Sequence, residues 1–184
     1  KNLYYNYNNT SFLSIRSPQV SALWLTDHIP IVIDPTAAQE SRFHMPLNIL
    51  FLCTGNSARS LIAEGVLRSR GGDRFAAWSA GSKPTGAPNP FALAVLEKMD
   101  IATGFARSKS WDEFAASNAP VMDIIITVCA NAAGETCPMW PGHPTSAHWG
   151  VEDPAAVTGS DAQKSEAFAL TFDQMSRRVD ALLA

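Results

Sequence analysis

The chain has 184 residues, 46% of them hydrophobic and 17% charged, and a net charge of −3. Such proportions belong to a soluble globular protein of about one domain, long enough to bury a real core. The slight acidity offers no nucleic acid or membrane surface a binding face, and three cysteines, an odd number, do not form a secreted disulfide framework.

Residues 1–44 open with "KNLYYNYNNT" and contain "IPIVIDP", a candidate short strand between prolines. No basic segment, apolar core and cleavage site follow one another there, and no apolar run reaches about 18 residues. The cytoplasm is therefore the expected compartment. Composition shifts near Met45, so residues 1–44 are expected to be an N-terminal extension and 45–184 the domain.

From Met45 the pattern is regular. "LNILFL" (47–52) is a continuous apolar run, as a strand covered on both faces should be. A helix over 58–70 is closed by Gly71-Gly72, and "FAAWSAG" (75–81) is a second strand. Asn89 can cap a helix that starts at Pro90 and runs to about Met99. "SKSW" (108–111), with Ser110 and Glu113 at capping-box spacing, predicts a further short helix rather than a site. "VMDIIITVC" (121–129) is β-branched and predicts a central strand. Ser160 and Gln163 repeat the capping box before a long helix whose stripe is Phe168, Phe172, Met175, Val179 and Leu182. Strands alternating with helices imply a parallel α/β sheet covered on both sides.

The chemistry gathers where strands end. In "NILFLCTGNSARS" (48–60), Cys53 falls at the C-terminal end of the first strand and Arg59 at the start of the first helix. Open α/β sheets bind ligands outside the carboxyl ends of their strands. Thr54, Gly55, Asn56, Ser57 and Ala58 offer backbone amides at a helix N-terminus, with Gly55 free to adopt backbone conformations closed to other residues. A thiol in that field should have a depressed pKa, and the planar fork of Arg59 can clamp two oxygens of a tetrahedral oxyanion. The plainer alternative is a buried strand-end cysteine and an ordinary turn. In "TVCANAAGETCPMWPG" (127–142), Cys129 and Cys137 stand eight positions apart. Zinc binding with His143 and His148 is disfavoured, since the gap exceeds the usual two to four residues. A thiol relay, in which one cysteine attacks the nucleophile and the other attacks it in turn, competes with incidental burial.

"CTGNSARS" resembles the signature loop of the low-molecular-weight tyrosine phosphatase superfamily, which contains phosphatases and thioredoxin-coupled arsenate reductases. The resemblance covers about 47–184. It implies a three-layer sandwich around a mainly four-stranded parallel sheet. By it, Cys53 is the nucleophile, Arg59 the oxyanion clamp, Ser60 the hydroxyl stabilising the thiolate and Asn56 the loop's brace. Residues Thr54 to Arg59 form the oxyanion cradle. The arsenate reductases carry a cysteine pair after the corresponding strand, which maps to Cys129 and Cys137 with a gap one residue longer. "HWGVEDPA" (148–155) resembles the general-acid loop and assigns Asp153, with Glu152 as the adjacent competitor. The phosphatase branch usually follows Asp-Pro with an aromatic residue, and often carries a second cysteine where this chain has Ala58; here Ala155 follows.

The implied reaction is arsenate reduction to arsenite. A disulfide between Cys53 and Cys129 forms first and is passed to Cys129 and Cys137, and an external dithiol, thioredoxin above all, reduces it. No tightly bound cofactor and no metal is expected. The alternatives are a phosphatase using Cys53, Arg59 and Asp153, a reductase handing its product to glutathione or mycothiol, and a non-enzymatic oxyanion sensor.

Overall fold

A continuous apolar segment is stable as a strand only where both of its faces are covered, and "LNILFLC" is placed in that way. In the computed structural model, which describes residues 45–129 and 139–184, Leu47–Cys53 forms strand β1, its last five residues buried. It lies between β2 (Phe75–Gly81) and β3 (Ile124–Thr127), and β4 (Thr145–His148) pairs with the far side of β3. The order is β2-β1-β3-β4 and all pairings are parallel. Cys53 is in register with Gly81 and Leu52 with Thr127, so the carboxyl ends of the strands share one edge.

Among the described residues four helices accompany the sheet: α1 (Arg59–Arg70), α2 (Pro90–Lys98), α3 (Asp112–Ala115) and α4 (Asp161–Leu183). One face of the sheet, Ile49 and Phe51 foremost, packs with Ile62, Val66 and Leu67 of α1, Leu96 of α2, and Phe168, Phe172, Met175 and Val179 of α4. The opposite face buries Leu50, Leu52, Ala80 and Ile125 against Phe114, Met122 and three partly buried tryptophans, Trp78, Trp111 and Trp140. This is the expected α/β sandwich, with one thick helical layer and one thin aromatic layer.

Local signals explain most boundaries. The Asn89 side chain accepts from Phe91 N at 2.9 Å with Pro90 at the first helical position, and Ser160 and Gln163 form a complete capping box. Three elements depart from expectation. β3 is shorter than 121–129 because Asp123 is taken up at its start, where its carboxylate accepts from Asn48 N at 2.8 Å. α3 has four residues and no capping box, since Ser110 Oγ accepts from Asp112 N and donates to Asp112 Oδ2 while Glu113 pairs with Arg107. β4, "TSAH", is exposed along its length and is held by pairing with β3 rather than by an apolar pattern. "IPIVIDP" and the expected extension lie outside the described residues. No helix among those described is long and apolar enough to cross a membrane.

Candidate active site

β1 delivers Cys53 to the sheet edge, 3% exposed, directly before the turn into α1. Its sulfur lies 2.9 Å from Ser60 Oγ and accepts from Asn56 N at 3.1 Å. Asn56, and not Gly55, takes the left-handed backbone conformation, with φ +43°. Asparagine tolerates that region because its short amide bonds locally, and here it is fully buried and fully used. Gly55 matters for space instead, since a Cβ there would meet Thr85 Cγ2 at 3.2 Å.

The segment 82–89 sets the orientation of the loop. Ser82 N donates to Cys53 O, Lys83 N to Thr54 O (2.9 Å), Thr85 N to Gly55 O (3.0 Å) and Asn89 N to Ser57 O (2.8 Å). Ser108 Oγ, at 3.0 Å, and Thr85 Oγ1, at 3.4 Å, also donate to Gly55 O. In a planar trans peptide the C=O and the following N–H point in opposite directions. Tying these four carbonyls to one side therefore turns the amides of Thr54, Gly55, Asn56 and Ala58 to the other. Asn56 N, which reaches Cys53 Sγ, obeys that rule. Ala58 provides no side-chain cap to α1, so no cap side chain competes for the first-turn amides. Gly81 backs the loop, because a Cβ at that position would stand 2.5 Å from Thr54 O and 3.0 Å from Asn56 N.

Arg59 opens α1 and turns to the far wall of the site. Its Nη2 lies 2.8 Å from Asp153 Oδ2, and its Nη1 donates to Val151 O at 3.1 Å. Asp153, rather than its exposed neighbour Glu152, meets the guanidinium; its other oxygen accepts from Ala155 N at 3.1 Å and caps the 3-10 turn Pro154–Ala156. Cys129, buried just past β3, places its sulfur 3.7 Å from Thr54 Oγ1. Cys137 lies outside the described residues. Trp140 stands edge-on to Trp111, with centroids 6.5 Å apart, as part of the thin aromatic layer.

The electrostatics correct one expectation. Burial pushes the Cys53 thiol above its ordinary pKa, and a charge on neighbouring Cys129 would push it further the same way. Hydrogen bonds from the Ser60 side chain, the Asn56 amide and the Ser60 amide pull downward but do not prevail. Burial thus favours the thiol form of Cys53, and the nearby donors offset only part of that push.

"SKSW" also reads differently in three dimensions. Lys109, 6% exposed, is buried beneath the loop, where Nζ lies 3.6 Å from Glu64 Oε2 and 3.4 Å from Ser79 Oγ, and its backbone N–H donates to Asn56 Oδ1 at 2.8 Å. Sequence spacing carried no sign of this, because the contacts join positions 45, 30 and 53 residues apart and depend on the sheet register. Gly81 was equally silent as a wall of the cradle.

The comparisons with known proteins agree with this geometry. The family described as low molecular weight phosphotyrosine protein phosphatase matches residues 48–184. A protein of Bacillus subtilis named arsenate reductase is 37% identical over 131 residues, which is 71% of this chain and 91% of that protein. Among solved structures, one titled as an arsenate reductase in the phosphate binding state superposes with a TM-score of 0.61 at 28% identity, covering 74% of this chain and 96% of the other. A low molecular weight protein tyrosine phosphatase from T. tengcongensis superposes with a TM-score of 0.59 at 25% identity, over 74% and 97% of the two chains. With its cysteine at the end of β1, its tight turn into α1 and the parallel sheet of the described residues, the chain belongs to the low-molecular-weight phosphotyrosine phosphatase family.

Proposed function

We propose that the protein reduces arsenate to arsenite within the domain 45–184, by a cysteine nucleophile followed by an intramolecular thiol relay. The observation that carries this is the convergence of Cys53, Arg59 and Asp153 on one loop with a second buried cysteine, Cys129, in contact with that loop through Thr54. Its similarity to proteins named arsenate reductase supports the choice of substrate.

Arsenate sits on the loop amides, two of its oxygens held by the Arg59 fork. Cys53 sulfur bonds to arsenic as the thiol gives up its proton. Asp153, beside Arg59, relays that proton to the arsenate hydroxyl, which leaves as water; without a proton it would depart as a poor leaving group. Cys129 then attacks Cys53 sulfur, and the sulfur–arsenic bond breaks with its electron pair staying on arsenic. Arsenite is released and a disulfide joins Cys53 to Cys129. Cys137 attacks Cys129, restores the Cys53 thiol and leaves a disulfide between Cys129 and Cys137. An external dithiol protein of the thioredoxin kind reduces it, which suits a reducing compartment such as the cytoplasm.

Cys137→Ser tests the order of steps. After one turnover the variant should have released one equivalent of arsenite and should hold a bridge between Cys53 and Cys129, found by peptide mapping. Full multiple turnover with Cys53 joined to glutathione would replace the relay with a small-thiol mechanism. Aryl-phosphate hydrolysis without arsenate reduction would place the chain in the phosphatase branch.

A further inference from the structure

Beneath the oxyanion loop runs a chain of buried polar groups that ends on a lysine. Asn56 fixes its direction. Its Oδ1 accepts from Lys109 N at 2.8 Å, so its Nδ2 must donate, and it reaches Ser60 Oγ and Ser79 Oγ, each at 2.9 Å. Ser79 gives its own hydrogen to Glu64 Oε2 at 2.5 Å, and Ser60 Oγ lies 2.9 Å from Cys53 Sγ, to which it can donate once the thiol ionises. With Asn56 Nδ2 donating to its oxygen, Ser60 keeps its own hydrogen available to the sulfur, an arrangement that favours a negative charge there.

The chain depends on a carboxylate that is nearly fully buried, since Glu64 is 1% exposed. An unbalanced charge there would oppose both an ionising Cys53 and an arriving oxyanion. Two cations face it, Arg68 Nε at 2.9 Å from Oε1 and Lys109 Nζ at 3.6 Å from Oε2. Arg68 leans outward over Trp78 and Phe105, whereas Lys109 faces inward and also touches Ser79. Burial presses the Lys109 ammonium toward neutrality and the Glu64 charge opposes that pressure. Arg107 and Glu113 are the other charges acting on Lys109, and they pair with each other.

We propose that Lys109 is a positioning residue for the nucleophile: its buried ammonium balances Glu64 and so keeps the chain from Ser79 through Asn56 and Ser60 aimed at Cys53. Its catalytic meaning rests on Cys53 being the nucleophile, but its physical content does not require arsenate as the substrate. Cys53 alkylation by iodoacetamide against pH, and inhibition of that alkylation by inorganic phosphate, are the probes. Lys109→Met should move the alkylation midpoint to higher pH and weaken phosphate protection by about ten-fold or more. Adding Glu64→Gln removes the orphaned charge while leaving an oxygen to accept from Ser79, and should return both readings most of the way to wild type.

Circular dichroism checks that each variant is folded. If Lys109→Met alone does not fold, the double variant carries the test, with a near-wild-type midpoint expected. A Lys109→Met profile that coincides with wild type, or a double variant displaced as far as the single one, overturns the proposal. A chain that retains this alkylation behaviour but reduces no arsenate would leave the proposal standing and remove only the assigned substrate.

Discussion

Replacing Gly81 by alanine tests whether the loop is held from behind. The added Cβ would stand 2.5 Å from Thr54 O and 3.0 Å from both Asn56 N and Asn56 Cβ. Relief to an ordinary 3.4 Å requires the Thr54 carbonyl to move by 0.9 Å (3.4 minus 2.5), and no flexible side-chain end is available to absorb it. Overpacking of this kind costs about 1–3 kcal/mol, which lowers Tm by roughly 3 to 10 °C for a chain of this size. Because the moved atom belongs to the cradle, its partner Lys83 N and the amides turned toward the anion shift with it. Misplacement of nearly 1 Å in a positioning element costs up to about 100-fold, so kcat/KM should fall by roughly 10- to 100-fold. Gly104→Ala is the control, since a Cβ there meets nothing within 4 Å. Thermal unfolding and steady-state arsenate reduction, measured on both variants, decide the matter. A Gly81→Ala protein with the Tm and kcat/KM of the control would refute the inference that β2 walls the loop.

Arg59→Lys should lose at least about 100-fold in kcat/KM, because a point charge cannot reproduce the planar fork, and steady-state kinetics will show it. Stability should depend on pH through Cys53: a thiol whose pKa is higher folded than unfolded binds its proton more tightly in the native state. That contribution is complete below the unfolded value of about 8.5 and is lost as pH rises past it toward the folded value. Urea unfolding across about pH 8 to 10 should therefore show wild type losing more stability than Cys53→Ser. A chain beginning at Met45 should fold and reduce arsenate at the full-length rate; a folded, inactive truncation would put part of the site in residues 1–44.

The strands and helices that carry the site were legible because they are fixed by local physics. Apolar continuity marked β1, and Asn89 and Ser160 marked helix starts with their own side chains. The loop was legible because thiol, amide-rich turn, arginine and helix start occupy consecutive positions. What is made by pairing was not. β4 has no apolar face and exists through β3, and the wall at Gly81 exists through strand register. Lys109 looked like part of a helix start because its partners, Glu64, Ser79 and Asn56, come from α1, β2 and the loop. The thiol pKa was misread for a related reason: sequence displays the donors near Cys53, but not how completely the surrounding elements exclude water.

The pairing of Arg59 with Asp153 bears on how a cycle begins. Both oxygens of Asp153 are engaged as acceptors, one by the guanidinium at 2.8 Å and one by Ala155 N at 3.1 Å. The carboxylate occupies the donor fork that an oxyanion needs. A tetrahedral oxyanion carries more charge and meets the loop amides as well, so it competes for the fork on favourable terms, and Asp153, 43% exposed, has room to turn aside. In the proposed cycle, a carboxylate turned aside from Arg59 is free to pass on the proton that Cys53 gives up once substrate is in place. In the proposed cycle the same contact satisfies the guanidinium before substrate binds and holds Asp153 away from the proton relay until an anion takes the fork.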